Sequence, residues 1–257
     1  MAEEKSKKSC VPADNSDDEY TSEKDSEQTE LSSILDKLSL GSKKEKKKLL
    51  ILSPNGLLLY RVHMQICVES PRTDLQTQLV GQILRPFAGE FMKFCLERFE
   101  VGIWSSANES NVDIILNIVL EDLKNKLLFV WDQKQSTDIG LKTLENSDKP
   151  MFFKDLSKVF QKFKDFSASN TILIDNEPYK ALLNPDHTGV FPVKYDPKDR
   201  NDDFLDPEGE FCSYLDDLAN ASDVQAYIKE NSFGQPKIDS SHPDWSFYSK
   251  VSKLSPF

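Results

Sequence analysis

KKKLLILSPNGLLLYRV, Lys46–Val62, runs from a basic lead-in through four aliphatic residues to a tight Ser-Pro-Asn-Gly turn and a second apolar run. An uninterrupted apolar run bounded by turn residues suits a central parallel strand buried on both faces. If this is the first strand of an α/β domain, a phosphotransfer enzyme would carry its reactive carboxylate where Ser53 stands. The fold, and whether the chain does chemistry, are therefore questions put to the same few residues.

Downstream, strands and helices alternate. GEFMKFCLERF (Gly89–Phe99) follows the break at Pro86 and has helical spacing of Phe91, Phe94, Cys95 and Arg98. EVGIWSS (Glu100–Ser106) reads as a strand, NVDIILNIVLEDL (Asn111–Leu123) as a helix, KLLFVWD (Lys126–Asp132) as a strand, KDLSKVFQKF as a helix and TILID (Thr171–Asp175) as a fourth strand. GLKTLENSDKPMFF between them reads as a loop or hairpin insertion, and FCSYLDDLANASDVQAYIKE (Phe211–Glu230) as a late helical segment. This alternation predicts a three-layer, Rossmann-like α/β fold: a central parallel sheet with flanking helices, right-handed crossovers and a small insertion. Ligands of such sheets bind beyond the carboxyl ends of the strands, near a topological switch. Ser53/Asn55, Ser105/Ser106 and Asp175/Asn176 all follow strand ends and are expected to meet there.

The chain has 257 residues, 38% of them hydrophobic and 10% aromatic, which suits one main globular domain with tails. Residues 1–45 are polar, charged and poor in aromatics and read as an acidic disordered tail. Within it ELSSILDKLSL (Glu30–Leu40) spaces Leu31, Ile34, Leu35 and Leu38 for a short amphipathic helix, either docking or transient. Residues 46–232 are the predicted folded domain, and 233–257 a turn-rich, irregular C-terminal extension. No apolar run approaches membrane-spanning length, and the first residues offer neither a secretory h-region nor an Arg-rich presequence. The net charge of −11 excludes an extensive nucleic-acid footprint. KKEKKK at Lys43–Lys48 is either a nuclear-import signal or a solvated lead-in to the first strand. Cys10, Cys67, Cys95 and Cys212 are scattered without a C-x-x-C pair, implying reduced thiols and no zinc site. A nuclear or cytoplasmic location is expected, with mitochondria disfavoured.

The order Ser53-Pro54-Asn55-Gly56-Leu57, Ser105, Lys154 in KDLSKV, then Asp175-Asn176-Glu177-Pro178 resembles the four-motif order of the haloacid dehalogenase superfamily. More narrowly it is similar to the phosphatase-like domain of small CTD phosphatases and TFIIF-associating CTD phosphatases, whose pattern RPFAGEFM, VGIWSSA, KDLSKVF and ILIDNEPYK follow in order from about Lys48 to Glu230. NGLLL, NTILIDNEPYKALLNP and IKENSFGQP resemble a plant branch of that family. The resemblance implies that Ser53 stands at the position of the nucleophilic aspartate and Asn55 at that of the acid/base aspartate. It assigns phosphate binding to Ser105 and Lys154, and Mg²⁺ binding to Asp175, Asn176 and the Asn55 backbone. With the first carboxylate gone, Mg²⁺ is expected to be held weakly at best. Serine needs a base, Asn55 cannot serve as one, and His63, His187 and His242 lie outside the motifs.

Three functions follow as expectations. The first is a catalytically inactive relative that binds a protein or phosphopeptide partner. The second is a Mg²⁺-dependent serine/threonine phosphatase acting on an RNA polymerase II CTD-like substrate, with water attack supported by Asp175. The third is a phosphatase-like subunit of the mitochondrial inner-membrane import machinery, which the missing spanning helix and presequence disfavour. Each site residue also has a plain structural reading: Lys154 as a solvated helix flank, Asp175 as an acceptor for the following turn, Ser105-Ser106 as turn or N-cap residues, and Trp104 and Trp131 as core.

Overall fold

Every side chain of LLIL is fully buried, and the reason is visible in the pairing of this strand. In the computed structural model, which describes residues 46–61, 81–255 and 257, β1 (Leu49–Leu52) lies between β4 (Glu100–Trp104) and β8 (Thr171–Ile174). Both pairings are parallel, with Leu52 opposite Ile103 on one side and Ile174 on the other. β5 (Phe129–Trp131) and the two-residue β9 (Gly189–Val190) complete a five-stranded parallel sheet of order β5-β4-β1-β8-β9. The chain steps outward from β1 to β4 and β5, then returns across β1 to β8. That reversal leaves a crevice at the carboxyl end of β1.

Alternation along each strand builds the three layers. Leu50, Leu52, Val101, Ile103, Ile172 and Ile174 face one core, and Leu49, Ile51, Trp104 and Leu173 the other. The first core is covered by α1 (Ala88–Arg98) and α2 (Glu109–Leu120), whose buried residues (Phe91, Met92 and Cys95; Val112, Ile115, Leu116 and Val119) recur at helical spacing. α4 (Glu210–Asn220) and α5 (Val224–Glu230) pack on the same side. They divide the late helical segment at Asp223, whose carboxylate accepts the Ala226 N–H at 2.8 Å and restarts the helix. The second core is covered by α3 (Ser157–Lys162) and contains Trp104 and Trp131 packed edge to face, so both tryptophans are core residues.

The insertion is the predicted hairpin: β6 (Thr137–Lys142) pairs antiparallel with β7 (Pro150–Phe153). A second antiparallel pair, β2 (Leu59–Arg61) with β3 (Gln82–Leu84), follows the Asn-Gly turn. The C-terminal extension departs from the expectation of irregular chain. It forms α6 (Trp245–Ser252), which buries Tyr248 and Val251 in the same cluster as Met151 and Phe153 of β7. Serines and lysines interrupt its apolar positions, so the periodicity over eight residues is weak, and tertiary burial decides the outcome. Lys47–Phe257 forms one compact unit. The acidic tail of residues 1–45 with its Glu30–Leu40 segment, and His63, Cys10 and Cys67, lie outside the described residues. Burial pushes the Cys95 thiol well up and the Cys212 thiol to about 11, consistent with inert core cysteines.

Candidate functional site

The carboxyl ends of β1, β4 and β8 open on a cleft of about 340 Å³ whose wall includes Ser53, Asn55, Ser105 and Ser106. Ser53 is buried, and its N–H continues the sheet by donating to the Ile174 carbonyl at 2.9 Å. The chain then turns at Gly56 (φ +84°), where a Cβ would come within 2.5 Å of Asn176 Oδ1. Glycine is needed there twice over, for the left-handed backbone and for the close approach. The turn exposes Asn55 at the mouth of the cleft and lays the Asn176 side chain against its backbone. Ser105 Oγ accepts the Ala107 N–H at 3.1 Å, a turn role, while Asn108 Oδ1 accepts the Asn111 N–H at the start of α2. Ser106 Oγ is buried without a hydrogen-bond partner on the wall of the cleft.

Beside this wall is a buried charge network. Lys154 follows β7, and its Nζ lies 2.5 Å from Asp175 Oδ2, with both side chains fully buried. Asp175 Oδ1 accepts the Glu177 N–H at 2.9 Å and faces Lys180 Nζ at 3.6 Å. Lys180 Nζ also lies 2.5 Å from Glu177 Oε2, and Lys149 reaches Glu177 Oε1 at 3.5 Å. Burial alone disfavours the Asp175 carboxylate, but Lys154 and Lys180 hold its pKa below the usual value. Glu177 is likewise held low by Lys180 and Lys149 against its burial. Lys154 is pushed down to about 8 because desolvation outweighs the pull of Asp175, with Lys180 adding to the push. Lys180 is desolvated too, yet Asp175 and Glu177 together raise its pKa.

The structure thus brings Ser53, Asn55 and Ser105 onto one cleft and places Lys154 and Asp175 off its wall, paired with each other. The cation of this network that reaches the wall beside Asp175 is Lys180, which the motif reading passed over. Its signal was present in NEPYK: Pro178 starts a 3₁₀ turn, Pro178–Ala181, and such a turn stacks side chains three residues apart. Glu177 and Lys180 are such a pair. Arg61 and Lys149 also line the cleft, and among its described lining residues Glu177 is the sole carboxylate. A chain of net charge −11 therefore turns a cationic pocket outward at its strand ends.

Mg²⁺ does not fit these residues. Both oxygens of Asp175 are taken up by Lys154, Lys180 and a backbone N–H, and Glu177 is held by two lysines. The other expected ligands, Asn176 Oδ1, which is buried and unpartnered, and the Asn55 backbone, are neutral oxygens where a hard dication needs carboxylates. Among the described residues no group of three His, Cys, Asp or Glu side chains is placed to hold a metal. Nor do the described lining residues offer Ser53 a suitable base: none is a histidine, and their single carboxylate, Glu177, is made a weak base by its lysine partners despite its burial. His187 belongs to a larger cleft of about 570 Å³, between the 181–189 loop and the 232–239 strap, which contains none of the predicted site residues. His242 packs edge to face on Tyr248.

An uncharacterized FCP1 homology domain-containing protein of Schizosaccharomyces pombe is 27% identical over 150 residues, 55% of this chain and 59% of that protein. Among solved structures, Fcp1, described as an essential RNA polymerase II CTD phosphatase, aligns with 87% of this chain and 64% of its own at 13% identity and a TM-score of 0.38. Fission yeast Fcp1 bound to beryllium fluoride aligns at 12% identity and the same TM-score of 0.38, over 54% of its length. The chain thus spans less than two thirds of the length of each of these proteins. The sequence model of NLI interacting factor-like phosphatases matches residues 48–225, from the lysine before β1 into α5. By that match, which covers well over half of its length, the chain belongs to the NLI interacting factor-like phosphatase family.

Proposed function

We propose that this member of the family binds a phosphorylated protein segment without hydrolysing it. The observation that carries the reading is the cleft itself: Arg61, Lys149 and Lys180 line it together with Ser53, Ser105 and Ser106, and no nucleophilic carboxylate ends β1. Hydroxyls and ammonium groups suit phosphate oxygens, while an alcohol without a base is a poor nucleophile. The lost nucleophile and the lost acid/base at Asn55 each contribute orders of magnitude to such a reaction. Water attack supported by Asp175, the phosphatase alternative, requires a carboxylate basic enough and free to take a proton, whereas Lys154 and Lys180 occupy this one and, against its burial, lower its pKa, which makes it a weaker base.

The partner on this reading is a phosphoserine or phosphothreonine peptide of the kind the CTD supplies to catalytic relatives, met in the nucleus or cytoplasm. Among the described residues no helix is long and apolar enough to cross a membrane. Hydrolysis of an aryl phosphate and of a phosphoserine peptide, followed alongside calorimetric binding of the peptide with and without its phosphate, tests the reading. The expected result is phosphate-dependent binding with no turnover. Turnover by the native chain that Asp175→Ala abolishes would make it a working phosphatase.

A further inference from the structure

We propose that the Lys180 ammonium is a built-in cation, which closes this cleft to divalent metal ions and supplies the positive charge against which a phosphate-type anion binds. The inference rests on the anion-binding reading above and extends it to a metal-independent site.

The position of Lys180 is fixed at both ends. Its backbone N–H donates to the Glu177 carbonyl at 3.1 Å and its own carbonyl accepts the Lys154 N–H at 2.9 Å. Its Nζ sits between two carboxylates, 2.5 Å from Glu177 Oε2 and 3.6 Å from Asp175 Oδ1, and its side chain is 8% exposed. Lys154 takes the far oxygen of Asp175 at 2.5 Å. A divalent ion seeking Asp175 would have to displace an ammonium from a carboxylate already surrounded by positive charge. Removing either partner of so buried a pair leaves an uncompensated charge, so displacement is costly.

The same groups favour an anion. Lys149, Lys154 and Lys180 face two carboxylates, Asp175 and Glu177, so the network carries one positive charge in excess. Lys180 and Lys149 bring it to the wall that also holds Ser53 and the unpartnered Ser106 Oγ. An incoming phosphate supplies both the missing counter-charge and an acceptor for that hydroxyl, and no second cation is needed.

Two measurements on the full chain decide this. The first is a Mn²⁺ titration followed by electron paramagnetic resonance, with no phosphate present. The native protein is expected to show no saturable Mn²⁺ binding into the millimolar range, Lys180→Met to gain at least tenfold in Mn²⁺ affinity, and Lys180→Arg to behave as native. The second is binding of inorganic phosphate and a phosphoserine peptide in EDTA and in Mg²⁺. Native affinities are expected to agree within twofold between the two conditions, and Lys180→Met to lose at least tenfold. Saturable Mn²⁺ binding by the native chain overturns the inference, and so does phosphate binding that requires Mg²⁺; the latter leaves the phosphopeptide reading standing. Absence of phosphate binding under both conditions overturns that reading and the anion half of this one, while the Mn²⁺ titration still scores metal exclusion. The native-protein results suffice if Lys180→Met does not fold.

Discussion

Two buried ion-pair sites in this molecule do opposite things. Arg85, just after β3, grips Asp202 with two parallel bonds, Nε to Oδ1 at 2.8 Å and Nη2 to Oδ2 at 2.9 Å. The guanidinium lies over the Phe204 ring at 4.4 Å and near that of Tyr195 at 5.3 Å, and both charged side chains are under 8% exposed. One cation meets one anion, the geometry is bidentate, and aromatic rings close the pair off. The strand-end network has a surplus lysine, monodentate contacts and an open side facing a cleft. A balanced, covered pair is a fastener, whereas an unbalanced, half-open one is an arrangement awaiting an anion.

The largest expected effects break either site by removing one partner. Asp202→Asn and Asp175→Asn should each cost about 3–5 kcal/mol in urea unfolding, because each strands a buried cation. Replacing both members separates the sites. Arg85→Met with Asp202→Leu should recover most of that loss and leave phosphopeptide affinity within twofold of native, since an apolar pair of similar size can substitute for a closed ion pair. Lys154→Met with Asp175→Leu should recover stability too but lower the affinity at least tenfold: the surplus charge is unchanged, but Asp175 Oδ1, which accepts the Glu177 N–H and faces Lys180, no longer positions the cations of the wall. Equal effects of the two double variants on binding would erase the distinction.

Much of this distinction was hidden in the sequence, although the fold was not. LLIL reads as a central strand because nothing polar interrupts it and TILID as a further strand of the same sheet, and β1 and β8 do pair in parallel. The sharing of one cleft by Ser53 and Ser105 follows from topology alone, since each stands at a carboxyl end. The charge pairing does not follow from it. Lys154 and Asp175 lie 21 residues apart and meet only because the hairpin insertion returns the chain to the sheet just before α3. Motif order gave Lys154 to phosphate, and only burial reveals that its ammonium is already spent on Asp175. Lys180 was a lysine in a turn until the 3₁₀ geometry placed it over Glu177. α6 escaped notice because its stability comes from partners far away in sequence, Met151 and Phe153.

A smaller effect sharpens the comparison through the backbone. Gly56→Ala should cost about 1–2 kcal/mol for the left-handed conformation, plus the displacement of Asn176. Gly140 also has a positive φ, +79°, but a Cβ there meets nothing within 4 Å, so Gly140→Ala should show the conformational cost alone. Thermal unfolding checks the stability order. Phosphopeptide affinity should fall for Gly56→Ala and stay native for Gly140→Ala, because only the first alters the cleft.

The smallest expected effect is a pH dependence of the strand-end network. Lys154 titrates at about 8 in the folded chain, below an ordinary lysine's 10.5, because it is desolvated and has Lys180 nearby, with Asp175 and Glu177 pulling the other way. Raising the pH through 8 therefore removes one positive charge from beneath the cleft. Anion affinity should fall by about fivefold, roughly the 1 kcal/mol of one partly screened charge, between pH 7 and 9. Stability should move in the opposite direction for this group. Between about 8 and 10.5 the unfolded chain binds the proton that folded Lys154 has given up, so unfolding becomes less favourable as the pH rises. Asp175 contributes at the other end of the scale. Its folded pKa is depressed, so its stabilising contribution is present above the ordinary carboxylate range and is lost as the pH falls through the lowered value. Peptide titrations at pH 7 and 9, paired with urea unfolding at the same values, read both signs at once. Lys154→Met should flatten the affinity profile and the alkaline rise in stability together; affinity that still fell fivefold in that variant would place the titrating charge elsewhere in the cleft.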